Sequence, residues 1–216
     1  MRWFRGAESS QPKREEGAQA APRTSRHCIG LADFMSNLTV VGEAKVRVLD
    51  LGPTSPTNIR LLTELGISIS NEDVLRESQD DVYLAKQEDG SMQIDPTKFF
   101  AENLGYPAGH FDAILFWDVA DYLPEALVKP LVDRLQLILK PKGHLLAFFH
   151  TKDAGMESLY SRHHIVKKDT LELEPIQGFR LQRIFNNRHI ENLFKDFASR
   201  KFFLGRDNIR EVLMVR

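Results

Sequence analysis

Three short segments in a fixed order constrain this chain more tightly than its composition does. Val46-Arg47-Val48-Leu49-Asp50-Leu51-Gly52 is a short, apolar, β-branched strand that ends in a carboxylate and a glycine. Roughly twenty residues later the acidic pair Glu72-Asp73 follows a second brief strand, Ile67-Ser68-Ile69. Phe111-Asp112-Ala113-Ile114-Leu115-Phe116 is a third strand, closed by Trp117 and Asp118. Side by side, these strands bring the acids and the glycine to one sheet edge. A carboxylate there can hold a ribose diol through two charge-assisted O–H···O⁻ hydrogen bonds, which marks a nucleoside-cofactor site.

Helical patterns separate the strands. Leu31, Phe34, Met35 and Leu38 recur at three- and four-residue intervals between Ile29 and Val41 and predict a helix there. Ser55 suits an N-cap and Pro56 the first helical position; Ile59, Leu62 and Leu65 give that helix an apolar stripe until Gly66 stops it. Residues 74–90 are polar and predict a partly exposed helix and loop, with a strand around Met92 to Ile94. Pro124 opens a helix carrying Leu127, Leu131, Leu135, Ile138 and Leu139, and Lys140-Pro141-Lys142-Gly143 ends it before a strand from Leu145 to Phe149. Such alternation means a mostly parallel sheet covered by helices on both faces. After a helix capped by Asn187, strands Lys201 to Leu204 and Glu211 to Val215 are joined too closely for a parallel crossover, so they pair antiparallel.

Composition sets the class. A chain of 216 residues supports one sizeable core, read as a domain over residues 27–216 after a disordered tail over residues 1–26 that has almost no apolar residues beyond Phe4. Acidic and basic side chains nearly cancel, 30 against 29, so no global field draws the protein to nucleic acid or an anionic membrane, and a small-molecule partner fits better. No apolar run is long enough to span a bilayer. One cysteine, Cys28, rules out an internal disulfide framework and, with the absence of a signal-peptide core, places the protein in the cytoplasm.

A parallel nucleotide-binding sheet finished by an antiparallel strand resembles the class I S-adenosylmethionine-dependent methyltransferases, an α/β, Rossmann-like, doubly wound fold. The resemblance runs over residues 29–216 and rests on Val48-Leu49-Asp50-Leu51-Gly52, Glu72-Asp73, the Phe111 to Phe116 strand, and Leu137 to Leu145, which is similar to the family's helix exit before its fifth strand. It implies S-adenosylmethionine as cofactor. Position by position, Asp50 and Gly52 line the methionine end, Glu72 binds the ribose diol with Asp73 its close competitor, and Asp118 faces the cofactor and substrate cleft beside Trp117.

The glycine motif diverges. Where the family has further glycines, this chain has Gly52-Pro53-Thr54-Ser55-Pro56, and proline neither donates a hydrogen bond nor bends as glycine does. The hydroxyls of Thr54 and Ser55 offer substitute hydrogen bonds. The adenine-contacting acid has only a distant counterpart, Asp95.

Other residues carry competing readings. The functional reading of Asp118 stands evenly against a structural one, since Asp121 equally serves as a helix-start residue before Pro124, and Trp117 is read as a core or cleft-wall aromatic. His163-His164 lie adjacent on a strand, point to opposite faces, and so suit an exposed strand better than a metal site. Cys28 is read as structural. Leu171 to Ile176 and Arg180 to Phe185 form an inserted hairpin over the cleft, and Arg188 is a surface arginine or a contact for an acidic acceptor. The expected activity is methyl transfer from S-adenosylmethionine to a small molecule, with Asp118 or His150 as the candidate proton acceptor. The alternatives are a noncatalytic binding or scaffold domain of the same fold and, disfavoured by the missing G-x-G-x-x-G, a nicotinamide-dependent oxidoreductase.

Overall fold

The computed structural model describes residues 22–38, 45–153, 159–205 and 207–216. In chain order the elements are β1 (Thr24–His27), α1 (Ile29–Asn37), β2 (Arg47–Asp50), α2 (Pro56–Glu64), β3 (Ser68–Asn71), α3 (Val74–Glu77), β4 (Leu84–Lys86), β5 (Met92–Ile94), α4 (Pro96–Glu102), β6 (Phe111–Trp117), α5 (Val119–Tyr122), α6 (Glu125–Ile138), β7 (Leu139–His150), β8 (Ser161–Lys167), β9 (Thr170–Pro175), α7 (Asn187–Leu193), β10 (Ser199–Leu204) and β11 (Ile209–Val215). The main sheet has the order β10-β11-β7-β6-β2-β3. Strands β3, β2, β6 and β7 run parallel, and β11 and β10 finish the sheet antiparallel, as the short connection between them requires.

Both faces of the sheet are covered. Leu49, Ile114, Phe116 and Phe149 pack in the cluster that takes in α6 and α7, while Val48, Leu115 and Phe148 pack with residues of α1 and α2. Each such side chain stabilises the fold by about 1.5–3 kcal/mol when fully buried. No helix among the described residues is long and apolar enough to cross a membrane.

Several expectations need correction. Residues 1–21 of the expected tail lie outside the described residues, but Thr24 to Arg26 are in β1, which pairs antiparallel with β9. Composition hides this strand because its stability comes from a distant partner. Arg26 is buried, and its guanidinium lies 2.6 Å from Asp207, 2.9 Å from Glu211 and 2.7 Å from the sulfur of Cys28. Glu211 in turn accepts the N–H of Gly30 at 2.5 Å, leaving no room for a Cβ there. Helix α1 stops at Asn37, and the end of its predicted span, residues 39–41, lies outside the described residues. In α2 the cap is as expected, Ser55 accepting from the Asn58 N–H at 3.2 Å, but Ile59 and Leu65 are exposed and Asn58 is buried with Leu62.

The strand at Met92 exists, yet it pairs with β4 in a separate hairpin, the short link between Lys86 and Met92 allowing only an antiparallel pair. Lys140 to Gly143 lie inside β7, where Lys142 has φ +65° and the N–H groups of Lys142 and Arg216 pair across the strands with the carbonyls of Arg216 and Gly143. Asn186, rather than Asn187, caps α7 by accepting from the His189 N–H at 2.9 Å. The hairpin over the cleft is β8–β9, so Ser161–Lys167 is the partner of the Leu171 segment, and residues 180–185 form no regular element. With β1 this hairpin makes a second, three-stranded sheet, β1-β9-β8, whose β8 packs on α2.

Candidate functional site

The carboxyl ends of β2, β3 and β6 converge through side-chain hydrogen bonds. Asp50, the last residue of β2, is buried; its Oδ1 accepts from Gly52 N at 3.2 Å and Trp117 Nε1 at 2.6 Å, and its Oδ2 from Asn58 Nδ2 at 2.9 Å. Burial pushes its pKa up to about 6, although the Trp117, Asn58 and Gly52 bonds oppose the shift. Asn71, at the end of β3, donates to the carbonyls of Asp50 at 3.1 Å and Gly52 at 2.8 Å, and accepts from the Thr54 hydroxyl. This amide staples the proline-containing loop in place of the backbone freedom that further glycines would give. Ser55 is committed elsewhere, 2.9 Å from His164 Nδ1.

The two ribose candidates differ in their partners. Glu72 is half-buried, donates its N–H to the Asp50 carbonyl at 2.9 Å and accepts the Tyr106 hydroxyl at 2.5 Å. Asp73 caps α3 by accepting the Arg76 N–H at 3.2 Å. Turning Glu72 toward a ligand would thus undo no helix cap, whereas turning Asp73 would. Asp95 caps α4 through the Thr97 and Lys98 N–H groups, and Arg188 is exposed on α7.

At the end of β6, Asp118 is buried and its pKa rises to about 7, burial outweighing the His150 charge. Asp121 in α5 accepts the His150 backbone N–H at 2.6 Å, and the ring Nδ1 of His150 lies 3.0 Å from the same oxygen. Burial works against a charged His150, yet the Asp121 bond and the Asp118 charge raise its pKa overall. A cavity of about 50 Å³ lies against Arg26, Asp118, Phe148, His150 and His163.

The histidine pair overturns the exposed-strand expectation, since His163 is 5% and His164 2% exposed. Strand β8 is covered on both faces. His163 stacks on Trp117 with ring centroids 4.6 Å apart and planes 3° apart, and burial takes its pKa down to about 3. His164 bridges Ser55 and Glu174, at 2.9 Å from each. Among the described residues no group of three His, Cys, Asp or Glu side chains is placed to hold a metal ion.

Four buried polar atoms here have no hydrogen-bond partner among the described residues: Asp118 Oδ1, Asp121 Oδ1, Tyr160 Oη and His163 Nδ1. Tyr160 is fully buried, and after burial the charges of Asp118, Asp73 and Asp50 raise its hydroxyl pKa furthest. A region this rich in buried carboxylates suits a cationic ligand.

A family model described as a methyltransferase domain matches residues 16–197. The chain belongs to this methyltransferase family. Its methyl donor is S-adenosylmethionine. No curated protein matches the methyltransferase in sequence. Among solved structures it is similar to the Burkholderia thailandensis 1,6-didemethyltoxoflavin-N1-methyltransferase, with 11% identity, 86% of this chain and 75% of that chain covered, and a TM-score of 0.46. It is also similar to a SAM-dependent methyltransferase from Archaeoglobus fulgidus, with 11% identity, coverage of 81% and 87%, and a TM-score of 0.49. A third is the PH0226 protein from Pyrococcus horikoshii OT3, with 16% identity, coverage of 80% and 84%, and a TM-score of 0.48.

The donor set of the methyltransferase fits this cofactor chemically. Glu72 suits the ribose diol, and the sulfonium and ammonium charges suit Asp50 and Asp118, which burial otherwise leaves costly to ionise. Sequence reasoning missed Asn58, Asn71, Tyr106 and Tyr160. Asn58 had a readable signal, a polar residue four positions before Leu62 on the buried face of α2.

The raised acids have a pH consequence. Asp118 in the folded methyltransferase keeps its proton up to about pH 7, whereas in the unfolded chain it releases it near pH 4, so its contribution to stability is present below about pH 4 and is lost as pH rises toward 7. His163 acts oppositely, its low folded pKa removing stability as pH falls below its ordinary value. Comparing Asp118→Asn with the parent protein isolates the first effect. Urea denaturation should show the variant gaining more stability at pH 8 than at pH 5; an equal gain at both would mean that Asp118 is ionised throughout.

Proposed function

We propose that the protein methylates a small-molecule acceptor, with Asp50, Gly52, Thr54, Glu72 and Asp118 forming the cofactor side of the site, while Asp73 serves as the cap of α3. The observation that carries this reading is the convergence of Asp50, Gly52, Asn71 and Glu72 at one sheet edge, joined by the hydrogen bonds from Asn71 and from the Glu72 N–H. When bound, the cofactor supplies an activated methyl group on a sulfonium. The chain's own residues then need to align an acceptor, exclude water and accept a proton. Glu72 anchors the ribose, and Asn71 fixes the loop through Thr54 and Gly52. The β1-β9-β8 sheet shields the carboxyl ends of β6 and β7 from water. In this reading His150, held by Asp121, takes the proton of a hydroxyl or amine acceptor, a role supported by the two contacts it makes with that carboxylate.

A small acceptor agrees with a net charge of −1, which gives no long-range attraction for nucleic acid. The second reading, a binding domain that has lost catalysis, draws support from Trp117, whose ring lies 3.0 Å from where a Gly52 Cβ would stand. Calorimetric titration with S-adenosylmethionine and S-adenosylhomocysteine, followed by an assay for S-adenosylhomocysteine formation with phenol, catechol and imidazole acceptors, separates the two. Binding and turnover are expected; no binding by the folded protein, or binding without turnover, favours the noncatalytic binding or scaffold domain.

A further inference from the structure

We propose that Trp117 and the methionine end of the cofactor are alternative occupants of the corner formed by Asp50 and Gly52, so that the indole must leave for the cofactor to enter. This rests on the reading of Asp50 and Gly52 as the methionine end of the site.

The corner is filled by the chain itself. The indole N–H donates to Asp50 Oδ1 at 2.6 Å, while Gly52 N and Asn58 Nδ2 take the remaining described bonds to that carboxylate. The face of Gly52 that a missing side chain would leave open to a ligand is covered, with Trp117 Cδ1 3.0 Å and Nε1 3.2 Å from a Cβ built there. A glycine needed for close approach is here approached by tryptophan.

The indole is also held at a cost. Trp117 has φ +51°, a left-handed conformation that bulky L-residues seldom adopt. The Asp50 bond, the parallel stack on His163 and an edge contact with Phe148 hold it against that strain. His163 belongs to β8, so removing the indole from the corner also removes a contact that holds the covering sheet down. Cofactor entry and loosening of that sheet are therefore coupled, and acceptor access follows cofactor access. If the indole holds the corner in about nine molecules of ten, the apparent Kd for the cofactor rises about tenfold over that of the open form.

The test uses the full chain and S-adenosylhomocysteine, which binds without reacting. The sequence has two tryptophans, Trp3 and Trp117, so Trp3→Phe leaves Trp117 as the sole indole fluorophore. Calorimetry should give Trp117→Ala an affinity about tenfold tighter than the parent, with Trp117→Phe between them. In the Trp3→Phe protein, saturation should shift Trp117 emission to longer wavelength as the ring leaves its buried stack. Weaker or unchanged binding by Trp117→Ala, or unchanged emission at saturation, overturns the proposal while leaving the cofactor reading intact. If Trp117→Ala does not fold, Trp117→Phe affinity and the emission shift decide the matter. Binding by none of these folded proteins overturns the cofactor reading and this proposal together.

Discussion

Replacing Glu72 with alanine is expected to weaken S-adenosylhomocysteine binding by roughly a hundredfold, with little change in folding stability. A carboxylate that accepts both hydroxyls of a ribose makes two charge-assisted hydrogen bonds, and losing them costs about 3 kcal/mol, or a factor of roughly 100. Glu72 can be removed cheaply from the fold because it is half-buried and its one described side-chain bond is to Tyr106. Asp73→Ala is the control with the opposite profile. Its carboxylate caps α3, so its loss should cost about 1 kcal/mol of stability and leave affinity nearly unchanged. Calorimetry paired with urea melts reads both quantities. If Asp73→Ala loses affinity and Glu72→Ala does not, the ribose ligand is Asp73.

Asn58→Ala should be the most destabilising single change in the site, by about 3–5 kcal/mol. The Asn58 amide donates to Asp50 Oδ2 and to the His163 carbonyl, each at 2.9 Å, and accepts the Ile165 N–H at 2.7 Å. Its removal takes the described donor from Oδ2 of a buried carboxylate and leaves a buried carbonyl and a buried N–H without the amide, and the methyl group of alanine replaces none of these bonds. It also frees β8 from α2, so the Ile165 amide should exchange with solvent much faster. A urea midpoint shifted by less than about 1 kcal/mol, with Ile165 protection unchanged, would show that β8 is held by its other contacts.

Much of the fold could be read from local pattern. The strands at Val46 and Phe111 and the helix stripe from Leu127 to Ile138 are fixed by short-range hydrophobic periodicity, and the antiparallel finish by the length of one connection. Asp50, Gly52 and Glu72 were legible as neighbours because parallel strands align their carboxyl ends. What stayed hidden depends on partners far away in sequence. Strand β1 exists because β9 pairs with it, and His163 and His164 are buried because β8 lies between Trp117 on one side and Ser55 on the other. The apolar stripe read on α2 failed for a related reason, since the hairpin presents backbone carbonyl and N–H groups to the helix and they select Asn58 rather than an aliphatic residue.

The position of β11 also dictates an order of assembly. This strand lies between β7 and β10, and it is the last element of the described chain. On a ribosome, β2, β3, β6 and β7 can all emerge while one edge of β7 still lacks its partner. Arg26, near the start, likewise waits for Asp207 and Glu211. The nascent protein therefore carries an open, apolar strand edge and an unmatched guanidinium until β11 appears, the interval in which it is most exposed to aggregation. His150 closes β7 at that same edge, pairing with Ile209, so the His150–Asp121 end of the cleft is among the last parts to form.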